Sequence, residues 1–237
     1  MADTDLTKQT KKMRVSFFVS GGGSVIECAY NFLGLFPDEI EVPLVIFDSE
    51  KCAALEKLKK YDINYRVINK GWKNEREKVC NEIRDLCLEH EVDYIFMAFN
   101  KILVGDILKV YDNRIINTHL SLLPSFKGLH SIDDAVAYGC QFVGATTHLI
   151  DENLDEGLII SQGLVPFDSN EDIADIRNRH YQMLKKLVIN TLYGVVKDSI
   201  SVSDSKVVLA GANYASLPVN PCFEDPIIDE FLNSYPR

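Results

Sequence analysis

Several absences narrow the class of this chain before any motif is considered. No apolar run approaches the ~20 residues needed to cross a bilayer. The first twelve residues are polar, with Lys8, Lys11 and Lys12 but no apolar segment behind them, so residues 1–12 are expected to be a disordered lead and not a signal peptide. Positive charge is scarce: 25 Lys and Arg stand against 35 Asp and Glu, a net charge of −10. Broad nucleic-acid binding needs a basic face, so neither nucleic acid nor membrane is expected as a partner. A few local groups can still hold a small phosphorylated molecule. The six cysteines (Cys28, Cys52, Cys80, Cys87, Cys140 and Cys222) include no CxxC pair. No metal site is expected from them, and the thiols read as reduced, in a cytoplasmic protein. Internal repeats and low-complexity tracts are lacking as well.

What is present is an alternation of short apolar runs and helical patterns. Arg14–Val19 is an apolar run that ends in Ser20-Gly21-Gly22-Gly23-Ser24, followed by helical spacing over Val25–Leu35. Strands are predicted at Val42–Phe47, Tyr65–Ile68, Tyr94–Ala98 and Arg114–Asn117, with helices at Cys52–Lys60 and Lys73–His90 and a helical turn around Asp106–Val110. A helix over Ser131–Tyr138 precedes strands at Phe142–Leu149 and Leu158–Pro166, and a long helix covers Ile173–Tyr193. This order predicts an α/β fold: a doubly wound, mostly parallel sheet with helices on both faces. Residues 13–198 read as one catalytic domain. Residues 199–237, with two weak strand signals and a Pro-punctuated end, read as an extension packed on it.

Ligands of such sheets sit at the carboxyl ends of the strands. Three segments fall there: the glycine turn, Asn100-Lys101-Ile102-Leu103, and Asn117-Thr118-His119. Asp155 follows His119 by 36 positions, and His148 stands seven before Asp155. An amide and an imidazole can donate hydrogen bonds to the oxyanion of an acyl transfer, and a His held by an Asp can move a proton near neutral pH. The glycine run fails the dinucleotide fingerprint, since Ile26 stands where its third glycine belongs. It remains a tight turn or a backbone cradle for phosphate. His148, between apolar residues, reads as a satisfied core histidine. His130 reads equally as a site group or a helix cap, and Lys127 as a surface lysine beside the turn.

Taken together these segments resemble the 10-formyltetrahydrofolate-dependent formyltransferases, most of all the branch that acts on glycinamide ribonucleotide. The resemblance runs from Arg14 to Gly194. It is carried by Ser20-Gly21-Gly22-Gly23-Ser24, by Asn117-x-His119-x-Ser121-Leu122-Leu123-Pro124, by Phe126-Lys127-Gly128-Leu129-His130, and by His148 with Asp155 and Gly157. It implies that Asn117, His119 and Asp155 are catalytic. It implies that Asn100, Lys101, Ile102, Leu103, Ile150 and Asp151 wrap the pterin of 10-formyltetrahydrofolate, the co-substrate, mainly with backbone groups. Gly21, Gly22, Gly23 and Ser24 would then cradle a substrate phosphate, and the expected activity is formyl transfer to the primary amine of glycinamide ribonucleotide in purine synthesis.

Two departures bear on the acceptor. Val25 stands where the family's glycine loop usually ends in Asn, and His180-Tyr181 stand where the long helix usually carries Glu-His. Arg177, Arg179 and His180 are expected to form a cationic edge suited to another phosphate or a diphosphate, so Arg179 and His180 join the substrate-binding set. The alternative within the same chemistry is an amino sugar attached to a nucleotide. Outside it stands a non-catalytic folate- or nucleotide-binding paralogue. The tRNA-formylating branch carries a second basic domain, and the deformylase branch usually an N-terminal regulatory one; neither is expected here. A homodimer is compatible with the sequence.

Overall fold

A computed structural model of the chain describes residues 11–128, 130–153, 155–168 and 170–236. Most of the predicted disordered lead, residues 1–10, lies outside the described residues. The first half of the fold runs β1 (Met13–Val19), α1 (Ser24–Leu33), β2 (Ile40–Glu41), β3 (Val45–Phe47), α2 (Ala53–Leu58), β4 (Tyr65–Val67), α3 (Arg76–Glu89), β5 (Tyr94–Ala98), α4 (Asp106–Val110) and β6 (Ile115–His119). The second half adds α5 (Ser131–Tyr138), β7 (Phe142–Leu149), β8 (Ile159–Pro166), α6 (Ile173–Val196), β9 (Ile200–Ser203), β10 (Lys206–Leu209), β11 (Val219–Asn220) and α7 (Pro226–Ser234).

The pleat explains why β1 is central. Side chains alternate between faces, so Val15, Phe17 and Val19 join one buried cluster with α1 and α6, while Phe18 joins the other with α3. All four are fully buried, as a strand covered on both faces requires. The main sheet runs β11-β8-β7-β6-β5-β1-β3-β4, with β2 beside β1. The run from β4 to β6 is parallel. β7 is antiparallel to β6, β8 to β7 and β11 to β8. The sheet is mostly parallel with helices on both faces, the doubly wound α/β architecture that the alternation of strands and helices predicts.

Two features position the site. β1 has β3 on one side and β5 on the other, so the strand order reverses there and a crevice opens beside its carboxyl end. β6 continues two residues past the predicted end, through Thr118 to His119, and its register sets Asn117 opposite His148.

The C-terminal residues hold the two strands read from the sequence and two elements beyond that reading, β11 and α7. β9 and β10 form a hairpin, β11 extends the main sheet, and α7 packs on α6. No helix was expected at the Pro-punctuated end. Asp225 caps α7, accepting from Ile227 N at 3.0 Å, and Pro226 occupies the first turn, where a missing N–H costs nothing.

Candidate active site

The pleat of β6 turns Asn117 and His119 to one face and Thr118 to the other. Asn117 donates through Nδ2 to His148 Nε2 at 3.1 Å. His148 Nδ1 lies 2.9 Å from the Leu149 carbonyl, which can only accept, so Nδ1 carries the ring proton and Nε2 offers a lone pair to Asn117. Burial pushes the His148 pKa below its ordinary value, partly opposed by the bond to Leu149, which keeps the ring neutral near pH 7. The ring that reads as a core histidine therefore also grips the Asn117 amide. One amide N–H is used in this contact, and among the described residues the other has no partner.

His119 stands between two loops. Its Nε2 lies 3.3 Å from the Phe126 carbonyl, and its Nδ1 lies 3.6 Å from Asp155 Oδ2. Asp155 Oδ1 is 3.9 Å from His148 Nε2, so a single carboxylate sits between the two imidazoles. The side chains of His119 and Asp155 are each 9% exposed and that of His148 is 2%. The residues that face the two ring nitrogens of His119 hold left-handed backbone, Phe126 at φ 51° and Asp155 at φ 54°. That conformation is rare for a bulky aromatic residue, and here it aims the Phe126 carbonyl at Nε2.

The turn after β6 is fixed by polar contacts in the sheet. Thr146 Oγ1 donates to the Ser121 carbonyl at 2.7 Å and accepts from Leu123 N at 3.0 Å. Gln162 Nε2 donates to the Leu123 carbonyl at 2.9 Å, and Ser121 Oγ to the Ser125 carbonyl at 2.6 Å. Lys127, read as a plain surface lysine, pairs with Glu156 at 2.9 Å and ties this turn to the loop that carries Asp155. His130 occupies the N-cap position of α5 but makes no side-chain cap bond.

Two strands from β6, the glycine turn closes on α2. Gly21 and Gly23 have φ of 72° and 64°, and a Cβ at Gly23 would lie 2.0 Å from Ala54 Cβ. Ala54 N and Cys52 Sγ both donate to the Gly21 carbonyl at 3.1 Å. A Cβ at Gly22 would meet nothing within 4 Å, and Gly22 is exposed. Gly23 is the N-cap of α1 and supplies no side-chain cap, so the first amides of that helix are not satisfied by a capping side chain. Lys57 Nζ meets Ser24 Oγ at this edge.

The segment Asn100–Leu103 follows β5. Asn100 N donates to Ser20 Oγ at 3.0 Å, Ile102 is exposed, and the Leu103 side chain is buried in the core. Ile150 and Asp151 leave β7 where it pairs with the start of β6, since Ile150 N donates to the Ile115 carbonyl at 2.9 Å. The return of that loop brings Asp155 to His119. Among the described residues no cluster of three His, Cys, Asp or Glu is placed to hold a metal ion.

The cationic edge expected on α6 does not form. His180 is 2% exposed with Nε2 2.7 Å from the Gly144 carbonyl, and burial pushes its pKa down. The cause is helical phase: Ile176, His180, Met183, Leu184 and Leu187 lie along the buried stripe of α6. Arg179 is exposed, paired with Glu171 at 2.5 Å, and donates to the Pro166 carbonyl at 3.0 Å. Arg177 pairs with Asp133 at 2.5 Å. Both guanidinium groups already have carboxylate partners, and His180 points into the core.

Comparison with known proteins gives the arrangement a context. Residues 13–192 match the family described as formyl transferase. The trifunctional purine biosynthetic protein adenosine-3 of Homo sapiens is 33% identical over 174 residues, covering 72% of this chain and 17% of that protein. The chain thus spans no more than a fifth of the trifunctional relatives' length. Phosphoribosylglycinamide formyltransferase of Bacillus subtilis is 30% identical over 187 residues, 77% of this chain and 95% of that one. Formyltetrahydrofolate deformylase of the same organism is 27% identical over 208 residues, 86% of this chain and 67% of that one. Among solved structures, phosphoribosylglycinamide formyltransferase from Anaplasma phagocytophilum superposes with a TM-score of 0.77 at 27% identity, covering 86% of this chain and 97% of its own.

Proposed function

The chain belongs to the formyl transferase family, and from that premise we propose that it moves a formyl group from 10-formyltetrahydrofolate to the primary amine of glycinamide ribonucleotide. The observation that carries this reading is the contact chain Asn117–His148–Asp155–His119, largely sheltered from water.

The amine nitrogen attacks the formyl carbon, and the carbonyl oxygen becomes an oxyanion. Asn117 donates to it through the N–H that His148 leaves unused; His148 thereby fixes which end of the amide faces the substrate. His119 takes up the proton released by the attacking nitrogen, and the Asp155 carboxylate 3.6 Å from Nδ1 stabilises the charge the ring acquires. The proton then passes to the folate nitrogen, the bond from that nitrogen to the formyl carbon breaks, and tetrahydrofolate leaves. Backbone groups of Asn100–Leu103 and of Ile150 and Asp151 hold the pterin. The amides after Gly21, Gly22 and Gly23 with Ser24 seat the substrate phosphate, helped by the positive end of α1. His180 has no part in substrate binding, and Arg179 is left to its partner Glu171.

A second reading has a specific support. The match to formyltetrahydrofolate deformylase covers 86% of the chain, and the same residues could deliver the formyl group to water. The space beside Gly21 and Gly22 supports a phosphorylated acceptor over water.

The test is release of tetrahydrofolate from 10-formyltetrahydrofolate, followed by absorbance, with glycinamide ribonucleotide, with a nucleotide-linked 4-amino sugar, and with neither. Turnover that depends on the ribonucleotide is expected. Turnover only with the sugar would move the acceptor to carbohydrate, and turnover with neither amine would favour the deformylase. Silence in all three would favour a non-catalytic paralogue.

A further inference from the structure

The carboxylate of Asp48 lies outside the catalytic cluster. It stands at the end of β3, in the crevice where the strand order reverses beside β1. Three strand ends meet on it. Ser20, next after β1, donates through Oγ to Asp48 Oδ2 at 2.7 Å, and Lys101, beyond the end of β5, brings Nζ to 3.4 Å from the same oxygen. Asn100 N donates to Ser20 Oγ at 3.0 Å, so that hydroxyl is held from both sides and its proton points at Asp48. The Asp48 side chain is 12% exposed, and among the described residues no hydrogen bond falls on Oδ1. A nearly buried carboxylate thus keeps one oxygen without a donor among the described residues, and the hydroxyl that holds its other oxygen belongs to Ser20, the residue before Gly21.

The group that suits this oxygen is a neutral donor. Lys101 already balances the charge, so a second cation has little to gain, and an anion would be repelled by the carboxylate itself. Adjacent strands lie about 4.8 Å apart, on the order of the distance from a sugar phosphate to its ring hydroxyls. In dinucleotide-binding sheets, whose glycine fingerprint this turn lacks, an acidic side chain beyond the second strand accepts from a ribose hydroxyl while the turn after the first strand holds the pyrophosphate, and Asp48 has the corresponding place beside β1. Resting on the reading that the glycine turn seats a phosphate, we infer that Asp48 is a specificity-determining residue. It accepts a hydrogen bond from the 2-hydroxyl of the phosphorylated sugar in the acceptor substrate, so the substrate is a ribose phosphate rather than a 2-deoxyribose one.

The experiment compares binding of inorganic phosphate, ribose 5-phosphate and 2-deoxyribose 5-phosphate to the wild-type chain and to Asp48→Ala by titration calorimetry, without folate. The wild type is expected to prefer the ribose compound by about tenfold or more, the worth of a hydrogen bond to a charged acceptor. Asp48→Ala should lose that preference while binding inorganic phosphate no more weakly, since a nearby negative charge has gone; a collapsed site would lose all three ligands. Equal affinity of the two sugar phosphates for the wild type, with phosphate bound, would overturn the role of Asp48 alone. Preference retained in Asp48→Ala would do the same. Failure of all three to bind the wild type would overturn the phosphate seat, and the Asp48 assignment with it.

Discussion

Replacing Asp155 with Asn removes one charge and little else. Asn has nearly the same volume and enters the left-handed region as readily as Asp, so φ 54° at this position is kept and the loop should hold its path. The loss falls on the charge that His119 acquires when it takes the proton. At 3.6 Å, with an effective dielectric near 20, a carboxylate and an imidazolium attract by about 4–5 kcal/mol, and 9% exposure on both sides leaves little room for solvent to screen them. Part of that attraction is replaced by the dipole of the new amide. The expected loss in kcat/KM is therefore about 10²–10³, within the range for a positioned acid–base group. Single-turnover rates with saturating folate would isolate the chemical step, and thermal unfolding should stay close to wild type. A variant that turns over within tenfold of wild type would refute the assignment, because a charge this near a proton-accepting ring cannot be that small an influence.

Gly22→Ala tests the phosphate seat: its Cβ meets nothing within 4 Å in the protein, so Tm should not move, while KM for the phosphorylated amine should rise about tenfold from steric contact with the ligand. An unchanged KM would remove the turn from the site. Burial holds His148 and His180 below their ordinary value of 6.5, so below that pH the unfolded chain binds protons that the folded chain refuses. Folding stability should then rise with pH through the window beneath 6.5 and be lost on acidification, by up to about 1.4 kcal/mol per pH unit for each ring. Urea midpoints between pH 5 and 7.5 would show it, His180→Gln should reduce the slope, and a flat profile would contradict it. Burial also pushes the Cys28 and Cys87 thiols up to about 12 and raises Cys80 and Cys222, whereas Cys140 is only half-buried. A thiol reagent at pH 8 should modify one cysteine quickly in the native chain and six after denaturation; rapid reaction of three or more would refute this packing.

The parts of the fold that could be read from sequence are those where burial leaves a continuous apolar run. β5 occupies Tyr94–Ala98 as its run predicts, and β1 differs by one residue. Strand direction was harder. The connection between β7 and β8 is too short for a parallel crossover, which needs a dozen residues or more, so their antiparallel pairing was legible in loop length though not in composition. α7 was announced by Asp225-Pro226 and hidden by the prolines around it. At the site, residue types and order pointed to Asn117, His119 and Asp155 as a group, but the grip of His148 on Asn117 depends on cross-strand register, which a single sequence does not display. His180 falls on the buried stripe of α6, which helical phase shows and the likeness to a Glu-His pair does not. Asp48 belongs to no motif; only the meeting of three strand ends brings it forward.

The measurement that bears most directly on the whole account follows the fate of the formyl carbon. Folate carrying a ¹³C-labelled formyl group would be incubated with the chain and glycinamide ribonucleotide and observed by carbon NMR. An amide-linked formyl signal is expected on the ribonucleotide at the rate tetrahydrofolate appears, with Asp155→Asn slowing both together. Label appearing as free formate at the same rate with or without the amine would contradict it, and would make water the acceptor.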